Sequence, residues 1–182
     1  ALVVNKENKD SLITLDEIKG IVTGKITRWE QLSNHTKSGE LKLVFDASGS
    51  STVRYMKDSL CNGKDLKGNV YASEGKSNQS VLDMVQANPN IIGIVGANWL
   101  MDKTGNALAN FSKLPFNVMR VSRTADGTSK YVRPYQYYIA TADYRLLRSV
   151  CMINTDPRSQ SELKNIVFYA KGQKGKTTHG HN

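Results

Sequence analysis

Two cysteines in 182 residues are too few for a disulfide framework. Cys61 and Cys151 stand far apart, and Cys151 sits in the apolar run Val150-Cys151-Met152-Ile153, as a buried thiol would. A pairing between the two stays open, so cysteine usage does not fix the compartment. No apolar run approaches the ~20 residues of a membrane helix. No leader pattern opens the chain either: Ala1 to Asn5 reads as a strand, so the chain is expected to begin inside a fold. The three histidines, His35, His179 and His181, have no ligand spacing with acids or cysteines, and no metal site is expected. No Gly-Lys-Ser/Thr closes a glycine loop, which excludes a nucleotide P-loop. Asp46-Ala47-Ser48-Gly49-Ser50 is not a Gly-x-Ser-x-Gly elbow, and no histidine base accompanies it. Asp16, Glu17 and Asp126 read as a helix cap and a turn. Neither an enzyme nor a cofactor is expected, and no internal repeat is visible.

What is present suits a soluble globular chain: 39% apolar and 23% charged residues. The net charge of +9 favours anionic partners, but the basic residues are scattered, so it selects no class of anion. The densest basic stretch, Lys171 to Lys176, reads as a solvated tail.

Strands alternate with helices through the first hundred residues. Leu2 to Val4 reads as a strand. Thr14-Leu15-Asp16-Glu17 is a capping box, followed by an apolar stripe at Ile18, Ile21 and Val22 and a stop at Gly24. A short helical turn follows Trp29, and Asn34 to Glu40 is a polar loop. Leu41 to Phe45 is a strand, with Val53, Met56 and Leu60 at helical spacing behind it. Val70 to Ala72 is a short strand. A helix over Ser77 to Ala87 turns Val81, Met84 and Val85 inward. Ile91 to Gly96 is apolar on both sides, with glycines that suggest close backbone approach. Phe116 to Val121, Tyr131 to Ala140 and Arg145 to Asn154 are further strand candidates, with a turn at Thr124 to Lys130. Ser159 to Glu162 is a second capping box, opening a helix to about Ala170. The order predicts an α/β layered fold with a mostly parallel sheet.

Between the strand at Leu41 to Phe45 and the next helix, Asp46 to Ser51 packs an acid, three serines and a glycine. Such residues cap helices for local reasons alone. The same turn also lies beyond the carboxyl end of a strand, where ligands of open α/β sheets sit. There, unpaired amides and the helix dipole favour a small oxyanion. Local rules favour the cap, and the tertiary position favours the site.

The motifs resemble, in order and over most of the chain, the phosphate-binding proteins of ABC transporters. Asp16 to Trp29, with Gly24-Lys25-Ile26 before the tryptophan, resembles that family's "helix, then Gly-Lys-Ile-x-x-Trp" segment. Asp46-Ala47-Ser48-Gly49-Ser50 resembles its Asp-x-Ser-Gly-Thr anion loop. Asn90 to Gly96 resembles its later Gly-rich strand, and the end at Ala170 to Gln173 its closing helix. The resemblance implies a three-layer αβα lobe of a type II periplasmic-binding-protein-like fold, with a mostly parallel mixed sheet. Residues 1–145 would be the second lobe, 146–170 the return crossover and closing helix, and 171–182 a flexible tail. The first lobe, with its own phosphate loop, would be missing.

Carried over by position, Ser48, Gly49 and Ser50 match the second-lobe phosphate contacts, with Ser51 beside them. Asp46 matches an acid that pairs with an arginine in the family. That arginine would stand at Val44, so this chain departs from the pattern, and Arg54 is the candidate substitute, since helical side chains lean toward the N-terminus. The implied partners are phosphate or a similar oxyanion, the permease of an ABC transporter and the missing lobe. The implied location of the full-length protein is the periplasm or cell surface. Two other readings stand beside this one. A phosphate-sensing or scaffold module would keep the fold without transport. A single-stranded nucleic-acid face would use Tyr131, Arg133, Tyr135 and Tyr137, though packing fits those aromatics better.

Overall fold

The computed structural model describes residues 1–67, 70–101 and 110–148. The strand candidate beyond Arg148, the second capping box, the closing helix, the tail, Cys151, His179 and His181 lie outside the described residues.

Eight strands and four helices are described: β1 (Leu2–Asn5), β2 (Leu12–Ile13), α1 (Leu15–Val22), β3 (Lys42–Phe45), α2 (Ser51–Leu60), β4 (Val70–Ala72), α3 (Asn78–Ala87), β5 (Ile91–Ile94), β6 (Phe116–Val118), β7 (Arg120–Ser122), β8 (Tyr131–Val132) and α4 (Gln136–Ala140). A five-stranded sheet runs in the order β4-β3-β5-β1-β6. β3 pairs in parallel with both β4 and β5, while β1 runs against both β5 and β6. Four of its five strands therefore share one direction. A small second sheet, β2-β7-β8, sits beside it.

The layers follow from strand alternation. Leu2 and Val4 of β1, Leu43 and Phe45 of β3, and Ile92 and Ile94 of β5 pack with Ile18, Ile21, Val53 and Met56 of α1 and α2. The intervening Val3 and Val44 pack on the other face, with Val81, Leu82 and Val85 of α3. This is the expected αβα arrangement, with the core split by the sheet. The capping box of α1 is complete: Thr14 Oγ1 accepts from the Glu17 amide at 3.0 Å, and Glu17 Oε2 accepts from the Thr14 amide at 2.8 Å. Gly24 follows the helix at φ +78°, its N–H donating to the Ile21 carbonyl at 3.1 Å.

The C-terminal half departs from the expectation in three places. Phe116 to Val121 is not one strand. It divides at Met119 into β6, paired with β1, and β7, paired with β2 in the other sheet. Tyr131 to Ala140 is not a strand throughout: β8 stops at Val132, and α4 begins at Gln136. Pro134 lacks the N–H that a ladder needs and ends the pairing there. Among the described residues of Arg145 to Asn154, positions 145–148 form no strand. The tyrosines of this region mostly pack. Tyr135 stacks on Phe111 with ring centroids 4.4 Å apart, and Tyr144 is buried. Arg133 Nε donates to the Val118 carbonyl at 3.0 Å. The expectation of packing rather than a stacking platform matches this arrangement.

Candidate functional site

β3, β4 and β5 run the same way, so the segments that follow them emerge at one edge of the sheet. The first is the Asp46 to Ser50 turn leading into α2. The second, Ser73 to Ser77, leads into α3. The third follows β5 at Val95 and Gly96. The three are tied together. Ser73 Oγ donates to the Asp46 carbonyl at 2.9 Å. The Gly96 amide donates to Asn78 Oδ1 at 3.2 Å.

Ser50 is the N-cap of α2, and its Oγ accepts from the Val53 amide at 3.3 Å. The bond uses only a lone pair, so the Ser50 hydroxyl proton is still available to a ligand. The Ser50 amide closes the turn onto the Ala47 carbonyl at 3.0 Å. Ser48, Gly49 and Ser51 are exposed. A Cβ built on Gly49 meets nothing within 4 Å, so the space above the turn is open. Among the described residues, the amides of Ala47, Ser48 and Gly49 have no acceptor. Those of Ser51 and Thr52, in the first turn of α2, have none either. Five donors thus stand free where the helix dipole places partial positive charge.

Asp46 is half-buried, and its Oδ1 is shielded from solvent with no hydrogen-bond partner among the described residues. Strand alternation puts residue 44 on the same face, and Val44 there is packed against α3. An arginine at position 44 would share a face with Asp46; Val44 supplies no charge. Arg54 is exposed, on the fourth residue of α2, and no ion pair joins it to Asp46 among the described residues. The turn therefore presents neutral donors without an arginine fixed among them.

A cavity of about 250 Å³ opens one helical turn further along α2, between Thr52, Tyr55, Met56, Gly96, Ile139 and Leu146. Its walls are mainly apolar, and burial pushes the Tyr55 hydroxyl to a higher pKa. Ala1 and Arg148 also line it. Among the described residues, no group of three or more His, Cys, Asp or Glu is placed to hold a metal ion, and no helix is long and apolar enough to cross a membrane.

Of the residues expected from sequence, Asp46, Ser48, Gly49, Ser50 and Ser51 lie together at one turn, and Arg54 stands apart from them. The free Ala47 amide and the Ser73 hydroxyl lie at the same turn and carry no local sequence pattern. The signal for Ser73 lay in topology: it follows the strand that pairs with β3, so it emerges beside the turn.

The helix-capping serine turn lies at the carboxyl edge of the sheet, where ligands of open α/β folds sit. Residues 1–170 match the model of the PBP superfamily domain, and the chain belongs to that superfamily. A search of curated proteins finds no match. Solved structures do resemble it. An ABC-type phosphate transport receptor from Vibrio cholerae aligns with a TM-score of 0.71 and 18% identity, over 97% of this chain and 64% of that one. A phosphate ABC transporter substrate-binding protein from Clostridium perfringens, solved with bound phosphate and described as putative, aligns with a TM-score of 0.60 and 20% identity, over 100% of this chain and 66% of that one. PstS from Borrelia burgdorferi aligns with a TM-score of 0.64 and 17% identity, over 100% and 66%. The chain thus spans 64% of the length of the Vibrio protein.

Proposed function

We propose that this chain is the phosphate-binding second lobe of a two-lobed solute-binding protein, which captures phosphate or a closely related oxyanion outside the cytoplasmic membrane for an ABC importer. In this reading residues 1–145 form the lobe. The permease and the first lobe are the partners this reading requires. The activity is binding, with no chemical step.

The observation that carries it is the set of free amides at Ala47, Ser48 and Gly49, ahead of a capped ten-residue helix. An oxyanion accepts from such donors, and the serine hydroxyls add to them. Asp46 narrows the choice. A carboxylate oxygen only accepts, so beside an anion it favours one that carries its own proton. Near neutral pH phosphate carries a proton and sulfate does not. Arg54 adds charge from the solvent side.

Calorimetry with phosphate and sulfate tests the reading. Phosphate binding is expected to exceed sulfate binding by about tenfold or more, one charge-assisted hydrogen bond being worth ~1.5–3 kcal/mol. Asp46→Asn should shrink that preference, and Arg54→Ala should weaken both anions more than a change at an exposed lysine does. Equal affinity for phosphate and sulfate in the unaltered chain would remove Asp46 from the site. No binding of either would remove the turn itself.

A further inference from the structure

Ser73 is a polar residue only 2% exposed, at the inner end of the segment that follows β4. Its amide donates to the Phe45 carbonyl at 2.7 Å, which extends the β3–β4 pairing by one step. Its hydroxyl donates to the next carbonyl along, that of Asp46, at 2.9 Å, with the Ser77 carbonyl further off at 3.4 Å. A buried hydroxyl is therefore spent on the first peptide of the anion turn.

That peptide has two ends. In a trans peptide unit the C=O and the following N–H point in opposite directions. Holding the Asp46 carbonyl inward on Ser73 turns the Ala47 N–H away from the Ser73 to Ser77 segment. The Ala47 amide has no acceptor among the described residues. It stands next to the free amides of Ser48 and Gly49. Among the described residues, the Asp46 carbonyl accepts from no donor other than the Ser73 hydroxyl.

We infer that Ser73 is a positioning residue for anion capture: its hydroxyl fixes the Asp46–Ala47 peptide so that the Ala47 amide joins those of Ser48 and Gly49 at the ligand. The inference rests on the phosphate reading above and adds to it a residue that never touches the anion. Ser80 provides the internal control. Its Oγ accepts from the Gly75 amide at 3.2 Å, so it braces the same segment without contacting Asp46.

The experiment is a phosphate titration of the 182-residue chain followed by calorimetry and by amide chemical shifts, on the unaltered protein, Ser73→Ala and Ser80→Ala. In the unaltered chain the Ala47, Ser48 and Gly49 amides should shift together on binding. Ser73→Ala should raise the phosphate Kd about 5–10-fold, the size expected for one misdirected hydrogen bond, and lose the Ala47 response selectively. Its melting temperature should fall by no more than about 4 °C. Ser80→Ala should leave the Kd and the Ala47 response unchanged. Unaltered binding and a retained Ala47 shift in Ser73→Ala would overturn the inference while leaving the phosphate reading intact. So would an equal loss in Ser80→Ala, which would make the effect one of general loop bracing. If the unaltered chain shows no phosphate response at these amides, the phosphate reading falls and the inference falls with it.

Discussion

Val44 is 1% exposed and packs with Val3, Val81 and Val85 on the α3 face of the sheet. Any cation at that position would be buried among valines, and it would need Asp46 as its partner to be tolerated. The valine keeps the core apolar and leaves the Asp46 Oδ1 without a donor. The site then rests on amides and hydroxyls. At the opposite edge of the sheet another single residue carries a testable charge. Lys37 Nζ sits 3.7 Å from the Trp29 ring centroid and donates to the Pro89 carbonyl. Burial pulls its pKa down to about 8, against the opposing pull of Asp10. A base with a lowered folded-state pKa makes the unfolded chain bind more protons between that value and its ordinary 10.5. Stability from this group therefore rises as pH climbs from about 8 toward 10.5 and is at its lowest below pH 8. Melting curves of the protein and of Lys37→Met across that range should diverge, with only the unaltered chain gaining from Lys37 as pH rises. Tryptophan fluorescence should show an inflection near pH 8 that Lys37→Met abolishes. A flat difference between the two proteins would mean that Lys37 titrates as a solvated lysine.

At the scale of elements, β5 and α3 are held close by Gly93. A Cβ there would lie 2.7 Å from Val85 Cγ2, 2.8 Å from Val81 Cγ1 and 3.1 Å from Val3 Cγ2. Gly93→Ala should cost about 1–3 kcal/mol by overpacking, read as a lower denaturant midpoint with an unchanged slope. A neutral substitution would show that α3 can shift outward freely. The close approach was legible in the sequence, because a glycine inside an apolar strand has few other uses. So were the capping box at Thr14, the strand-turn-helix unit around Asp46 and the burial of β5. Each depends on neighbours within one or two helical turns. The region after Phe116 was less legible, because its pattern fits two structures. Tyr131, Arg133, Tyr135 and Tyr137 alternate as a strand does, yet Pro134 ends β8 and α4 follows. The split at Met119 depends on β1 and β2, about a hundred residues away, offering separate edges. Ser73 was illegible for the same reason, since its meaning lies in a hydrogen bond 27 residues back along the chain.

For the whole molecule the question is whether anion binding belongs to the turn or to the charge. A net charge of +9 attracts any anion, and that attraction is delocalised. It weakens as added salt shortens the Debye length from about 10 Å at 0.1 M toward 3 Å at 1 M. Amide donors at a helix start act at contact distance and discriminate by shape and by protons, so they are screened less. The turn is exposed at Ser48, Gly49 and Ser51, and water competes for every donor. Five such free amides at ~1 kcal/mol each give about 5 kcal/mol, which corresponds to a Kd of about 0.2 mM for the chain by itself. Raising sodium chloride from 0.05 to 0.5 M should therefore remove most of any sulfate binding and leave a phosphate Kd within about threefold of its low-salt value. Parallel losses for the two anions would assign the binding to net charge. A phosphate Kd that holds while sulfate binding disappears would assign it to the turn. The two outcomes differ because net charge does not distinguish two anions of similar size, whereas under the proposed reading the Asp46 carboxylate accepts a hydrogen bond only from the protonated one.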